Sequence, residues 1–319
     1  MAHAAKPVLV IGSLNMDLVA RCDALPRVGQ TVFGENFFTA AGGKGANQAV
    51  AASRLDGRVI MAGCVGDDQF GRDLNAGLRD AGVGADGVLV VDRPTGTALI
   101  TVDANGANTI VVISGANMAC DTALVDRALT NAGGPGILLL QHEIPDEANA
   151  HAIRRAADTG WFVVLNPAPA RPVSRELMPL IDIIVPNETE AAAITGRAVN
   201  DRVGAVAAAR ALVAAGARGA LVTLGGDGAL YCDASGAMHC PAVAVQAVDT
   251  TAAGDAYIGA LAAALAEGRG VSECLGFASA AAGFAVTRYG AQPSLGSRDE
   301  VSDFIARYGM PMVEALAVS

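Results

Sequence analysis

Residues 136–167, GILLLQHEIPDEANAHAIRRAADTGWFVVLNP, decide the fold of this chain. Two short apolar runs, GILLLQHEI (136–144) and WFVVLNP (161–167), enclose an alanine-rich stretch, 146–159, that reads as a helix. Runs such as ILLL and FVVL do not alternate with polar residues, so they are strands buried on both faces. A helix joining two of them is the crossover of a parallel pair. The same unit recurs along the chain. Further strands are predicted at PVLVIGSL (7–14), RVIMAGCVG (58–66), DIIVPN (182–187) and GALVTLGG (219–226), with helices at 44–55, 70–81, 189–195 and 202–216. The expectation is a three-layer α/β/α domain with a mainly parallel central sheet.

Two segments interrupt this rhythm. Residues 15–40 and 95–114 read as isolated β structure, the second carrying DANGAN as a hairpin turn around Asn105-Gly106. Such a small sheet is either a lid inserted into the main domain (1–14, 41–94 and 115–319) or a surface hairpin without function.

The 319 residues are 52% hydrophobic and only 4% aromatic, which suits helices packed closely on a sheet. A net charge of −10 without a basic run excludes a nucleic-acid surface or an anionic-membrane surface. An anionic ligand would need a local device. The six cysteines are scattered without a CxxC pair, and the four histidines lack metal-ligand spacing. With no leader pattern in MAHAAKPVLVIGS and no membrane-length apolar run, the expectation is a protein of a reducing compartment, the cytoplasm.

In parallel sheets ligands gather at the carboxyl ends of the strands. Polar residues fall there repeatedly: Asn15 and Asp17, Glu143, Asn166, Asn187 with Glu190, and Thr223. The stretch AAGGKGANQAVAASRL (40–55) opens a helix with Gly42 and Gly43, then sets Lys44, Asn47 and Gln48 ahead of an apolar run. It lacks the spacing of a Walker A loop. NETE (187–190) either holds a hydrated Mg²⁺ or caps a helix through Asn187 or Thr189. TLGGDGALY (223–231) is a hairpin whose Gly225-Gly226 amides and Thr223 are able to meet a nucleotide.

In AVDTTAAGDAYIGALAAALAEG (247–268) two aspartates interrupt an apolar run. A helix starting near Ala253 points the amides of Ala252, Ala253, Gly254 and Asp255 outward together, a site for negative charge. Asp255 in that first turn is either a carboxylate favoured by the helix dipole or a base for an attacking hydroxyl, and local physics leaves both open. Asp249 either caps the turn or binds a cation.

Taken together, IGSLNMD, GGKGANQAVAASRL, VGDDQFG, NPAPA, VPNETEA, TLGGDGALY, DTTAAGDAYIGAL and VTRYGAQPS resemble, in order and over nearly the whole chain, the ribokinase-type (phosphofructokinase-B) carbohydrate kinases. The resemblance implies a ribokinase-like fold and transfer of the ATP γ-phosphate to O5 of D-ribose. A same-fold kinase for 2-deoxyribose, a ketohexose or a nucleoside, or a non-catalytic sugar-binding protein, is the alternative. It further implies that Asn15, Asp17, Gly43, Lys44, Asn47 and Glu143 bind the sugar. Asp255 would be the base, and the amides of Ala252, Ala253 and Gly254 the anion hole. Asn187, Thr223, Gly225, Gly226, Gly228 and Ser279 would line the ATP site, with Glu190 near Mg²⁺. An activating K⁺ would lie at Asp249, Thr251, Ala285, Arg288, Gly290 and Ser294, and the small sheet would be a clasp that forms a homodimer. Two positions depart from the family pattern: Ala252 stands where the wider family has Gly, and Ile258 where Asn is common. The tail GMPMVEALAVS runs past the expected end.

Overall fold

The computed structural model describes residues 5–316. The termini 1–4 and 317–319, including the ends of the expected main domain, lie outside the described residues. In chain order the first half contains β1 (Val8–Ile11), β2 (Asn15–Cys22), β3 (Gly34–Gly42), α1 (Lys44–Arg54), β4 (Val59–Gly66), α2 (Gln69–Asp80), β5 (Gly84–Val91), β6 (Gly96–Val102), β7 (Asn108–Ile113), α3 (Thr122–Asn131), β8 (Ile137–Gln141) and α4 (Asp146–Thr159). The second contains β9 (Phe162–Asn166), β10 (Ile183–Ile184), α5 (Glu188–Thr195), α6 (Arg202–Ala214), β11 (Gly219–Thr223), β12 (Ala229–Asp233), β13 (Gly236–Cys240), α7 (Ala253–Ala266), α8 (Val271–Ala285), α9 (Arg298–Tyr308) and β14 (Glu314–Leu316).

The large sheet runs β14-β13-β12-β11-β10-β9-β8-β1-β4-β5. It is parallel from β5 to β11 and antiparallel through β12, β13 and β14. Successive side chains of one strand face opposite layers, as the pleat requires. Val8, Val10, Ile137 and Leu139 enter the core beneath α1, α7 and α8, while Leu9, Ile11, Leu138 and Leu140 enter the core beneath α3, α4 and α6. The unbroken apolar runs are therefore the middle of a three-layer sandwich, as expected.

The four-stranded sheet β3-β2-β6-β7 is separate from the large one. β2 pairs with β6 in parallel, and β3 and β7 flank them antiparallel. The Asn105-Gly106 turn closes the β6–β7 hairpin, with the Asp103 carboxylate accepting the amides of Asn105 and Ala107.

All six expected strands are shorter than their apolar runs, the 7–14 strand ending at Ile11, and three of these ends bear on the site. The 182–187 strand is reduced to Ile183–Ile184, because the Asp182 carboxylate accepts the Val163 amide at 2.7 Å and Pro186 has no N–H to give. The 219–226 strand stops at Thr223, where residues Gly225–Asp227 wind into a 3-10 turn. The 136–144 strand stops at Gln141, which frees Glu143 to turn into the sheet's carboxyl-terminal edge. The described part of the tail forms β14 and pairs with β13, covering one edge of the large sheet.

The contact of α1 against α7 brings Asn47 and Gln48 to Asp255. Gly259 of α7 sits so close to α1 that a Cβ there would lie 2.5 Å from Ala51 Cβ and 2.8 Å from Gln48 O. We expect Gly259→Val to cost about 1–3 kcal/mol through overpacking, read as a lowered urea midpoint with unchanged slope.

Candidate active site

The amino end of α1 is assembled from three strand ends. Gly43 caps the helix at φ 88°, and a Cβ there would lie 2.8 Å from the Asn15 amide nitrogen, so only glycine fits. No side chain of its own caps α1. Instead Glu143, just past β8, accepts the Lys44 amide at 3.0 Å and the Ser13 hydroxyl, and Ser13 Oγ in turn accepts the Gly45 amide at 3.3 Å. Two orphan helix amides are thereby satisfied by groups 99 and 32 residues away in sequence. Asn15 Oδ1 accepts Asn117 Nδ2 at 2.7 Å, and Asn117 Oδ1 accepts the Leu14 amide at 2.9 Å. Sequence reasoning missed Ser13 and Asn117. Ser13 lies inside the IGSLNMD motif; Asn117 had no cue beyond being a polar residue that the fold buries.

Asp255 lies in the first turn of α7 and is buried, 7% exposed. Its burial is tolerated because each carboxylate oxygen has a donor: Asn47 Nδ2 reaches Oδ2 and Gln48 Nε2 reaches Oδ1, both at 3.0 Å. α7 has no side-chain cap. The expectation of four outward amides needs one correction, because the Ala253 amide donates to Thr250 O at 3.2 Å in the turn that starts the helix. The amides of Ala252, Gly254 and Asp255 take no acceptor among the described residues, so three donors remain open at the positive end of a helix.

The charges around this point are strongly coupled. Burial pushes the Asp17 carboxyl up to about 7, with Glu143 and Asp255 adding to it. For Lys44 burial is the largest single influence and lowers its pKa. Asp255, Glu143 and Glu190 together outweigh it, and the ammonium is held above its ordinary range. Burial raises Glu190, against the Asn187 amide and Lys44, which oppose it. One lysine thus faces carboxylates from three separate segments.

Asn187 and Glu190 form a capping box at the start of α5: Asn187 Oδ1 accepts the Glu190 amide and Glu190 Oε2 accepts the Asn187 amide. The capping alternative for NETE is thus built, with Asn187 rather than Thr189 as the cap. An isolated bridge sets Asn187 beside Thr223. In the following turn the Gly225 and Gly226 amides take no acceptor among the described residues, Gly228 adopts φ 90°, and His239 Nε2 meets the Asp227 carbonyl at 2.7 Å from below. Ser279 Oγ donates to Pro241 O at 2.8 Å, so its proton is spent on the loop leaving β13.

The residues expected at a cation gather beside α7. Asp249 Oδ1 accepts the Thr251 amide and hydroxyl, and Oδ2 accepts the Gly290 amide at 2.9 Å. Burial raises this carboxyl, but those hydrogen bonds and then Arg21 outweigh it and hold it below its usual range. Ser294 is buried and bonds the Ala291 carbonyl; Ala285 O accepts the Arg288 amide at 3.1 Å. The Arg288 side chain turns away to Glu300 (3.0 Å) and the Phe284 ring, leaving only its backbone for this loop.

Open helix amides beside a buried carboxylate are suited to group transfer. Residues 5–298 match the pfkB family carbohydrate kinase, and the chain belongs to that family. It is similar to the ribokinase of Schizosaccharomyces pombe, 41% identical over 305 residues covering 92% of this chain and 96% of that one. It is also similar to a deoxyribokinase of Salmonella typhi, 37% identical over 94% of this chain and 98% of that one. In three dimensions it is similar to the Arabidopsis thaliana ribokinase complexed with ribose and ATP, with TM-score 0.86 and 34% identity over 95% of this chain and 99% of that one.

Asp17 generates a pH prediction. The folded state holds this proton more tightly than the unfolded chain does, so ionisation costs the ligand-free fold stability. The proton's contribution is complete below about pH 4 and is lost as the pH rises through about 7. Asp17→Asn should therefore raise the melting temperature of the ligand-free protein at about pH 8, a gain that vanishes by about pH 4.

Proposed function

We propose that the chain phosphorylates O5 of D-ribose with ATP. The observation that carries this reading is Asp255, a buried carboxylate in the first turn of α7 beside three open helix amides. A sugar hydroxyl is a poor nucleophile, and phosphoryl transfer depends on positioning and on stabilising charge. Asn15, Asp17, Gly43, Lys44, Asn47 and Glu143 hold the sugar with O5 against Asp255. As the O5–phosphorus bond forms, the hydroxyl proton passes to Asp255, the bond to the β-phosphate oxygen breaks, and ADP leaves with that electron pair. The amides of Ala252, Gly254 and Asp255 meet the charge on the transferring group, and Ala253 joins them once its bond to Thr250 opens. The Gly225 and Gly226 amides, Gly228, Thr223 and Asn187 receive the nucleotide, with the Ser279 segment walling its far side.

Glu190 commits only Oε2 to its capping box, and a hard cation suits the remaining oxygen of a carboxyl raised by burial. Bound Mg²⁺ neutralises phosphate charge. Asp249, Thr251, Ser294 and the carbonyls of Ala285, Arg288 and Gly290 form an all-oxygen set suited to K⁺, which would stiffen the loops flanking the α7 amides.

The small sheet, 15–40 and 95–114, serves as the lid, keeping water from the phosphoryl group. Every residue of β7 is exposed, Ile110, Val111, Val112 and Ile113 among them, and Phe37 of β3 is 62% exposed. Apolar surface on that scale suits a second copy of the chain, making a homodimer through the lid. Among the described residues no helix is long and apolar enough to cross a membrane, and all six cysteines are free and buried. A cytoplasmic setting accords with both.

The second reading, 2-deoxyribose as the better substrate, is favoured by the Salmonella relative alone. ATP turnover against ribose, 2-deoxyribose, a ketohexose and nucleosides, each in K⁺ and Na⁺, separates these. Ribose should give the highest kcat/KM, several-fold higher in K⁺; background turnover with ribose alongside turnover of a nucleoside sinks the assignment. Asp255→Asn should lower kcat by about 10²–10⁴-fold while leaving ribose binding, measured by calorimetry, largely intact. Near-parent activity in that variant removes Asp255 from the role of base, and sugar binding without turnover by the parent chain would mark a non-catalytic binding protein.

A further inference from the structure

Behind Asp255 lies a buried chain of side-chain amides that the reaction as described does not use. Gln48 is fully buried on α1, Gln141 is fully buried at the end of β8, and Asn166 at the end of β9 is 6% exposed. Gln48 Nε2 donates to Asp255 Oδ1 at 3.0 Å and to Asn166 Oδ1 at 3.1 Å, while Gln48 Oε1 accepts Gln141 Nε2 at 2.7 Å. Asn166 Nδ2 donates to Val185 O at 2.8 Å.

This chain has a direction. A backbone carbonyl can only accept, so Val185 O requires the nitrogen of Asn166 to face it. The oxygen of Asn166 then faces Gln48 and requires a nitrogen there. Both N–H groups of Gln48 are thereby turned to acceptors, one of them Asp255, and its oxygen is satisfied by Gln141. An amide flip at Gln48 would set oxygen against oxygen at both Asp255 and Asn166, leaving buried acceptors unpaired; Gln141, whose own Oε1 has no partner, follows Gln48 rather than fixing it. The polarity of the donor meeting Asp255 is thus dictated by the backbone just past β10, through Asn166.

We propose that Gln48 is a positioning residue for the phosphoryl transfer, holding the Asp255 carboxylate in one rotamer through a hydrogen-bond chain anchored on Val185 O. The proposal rests on Asp255 being the base. Asn47 restrains the other oxygen, Oδ2, but Asn47 is also a proposed sugar contact, whereas Gln48 lies behind the carboxylate. With both oxygens restrained, the carboxylate cannot rotate, and each oxygen keeps a lone pair for the substrate proton. The charged groups coupled to this point are Asp17 from β2, Lys44 from α1 and Glu190 from α5; Gln48 adds no charge, only direction.

The test compares Gln48→Met, which keeps length and loses both donors, with Gln141→Met, which cuts the chain one link away, and with Asp255→Asn. In Gln48→Met we expect kcat to fall about 10–100-fold with KM for ribose and ATP within about threefold of the parent. Gln141→Met should show a smaller fall in kcat, again with KM near the parent value. A Gln48→Met protein with parent kcat, while Asp255→Asn is inactive, overturns this inference and leaves the base intact. A change confined to KM or to melting temperature overturns it as well. Activity in Asp255→Asn instead overturns the reading beneath it. Should Gln48→Met fail to fold, Gln141→Met decides: a lowered kcat with ribose affinity retained supports the chain, and parent-like kcat overturns it.

Discussion

The Asp255 carboxylate, buried in the junction between α1 and α7, is the constraint around which the structure is arranged. An isolated buried carboxylate costs several kcal/mol or takes up a proton. Here two side-chain amides from α1 meet it, at 3.0 Å each. That requires the two helices to approach without side chains between them, which Gly259 permits. It also requires α1 to begin at a defined place, which Gly43, Ser13 and Glu143 enforce. The proposed base, the amides beside it and the proposed sugar-facing end of α1 therefore stand or fall with one helix contact.

The second organising feature is charge. The chain as a whole is acidic, at −10, yet the proposed reaction brings in a polyanion. Lys44 answers three carboxylates at once, and the open amides at the start of α7 and in the Gly225-Gly226 turn provide positive potential without further cations. Asp17 is the group that pays for the crowding in the ligand-free state, held near neutral pH by burial and by its acidic neighbours. In the proposed reaction a sugar hydroxyl donating to Asp17 would favour its ionised form.

Much of this was legible in the chain itself. Unbroken apolar runs alternating with alanine-rich helices identified the sheet and its crossovers, and α4 spans the same residues, 146–159, that its composition predicts. The polar residues at strand ends were visible as a set. What remained hidden was their bonding. Nothing local distinguishes Glu143 as the capping group of a helix 99 residues earlier, or Asn117 as the partner of Asn15. The outward amides of α7 were anticipated as four, but a single i to i+3 turn bond withdraws Ala253, an event of backbone geometry that residue identity does not encode. Similarly, Arg288 looked like one member of a cation site, and only its packed surroundings show the guanidinium committed to Glu300 and Phe284.

Because periodicity and glycine placement are local properties read directly from the residues, the sequence by itself determined the layers and the strand–helix alternation from 136 to 223, though it left β5, α3, α8 and α9 unmarked. Tertiary structure alone decided which role each polar group takes. Gln48 is the sharpest instance: on α1 it is simply a polar residue following Asn47. Its orientation toward Asp255 is set by the carbonyl of Val185, 137 residues later in the chain numbering. Hydrogen-bond polarity propagates through space, from strand to strand across the sheet, and no window of sequence contains both ends of that path.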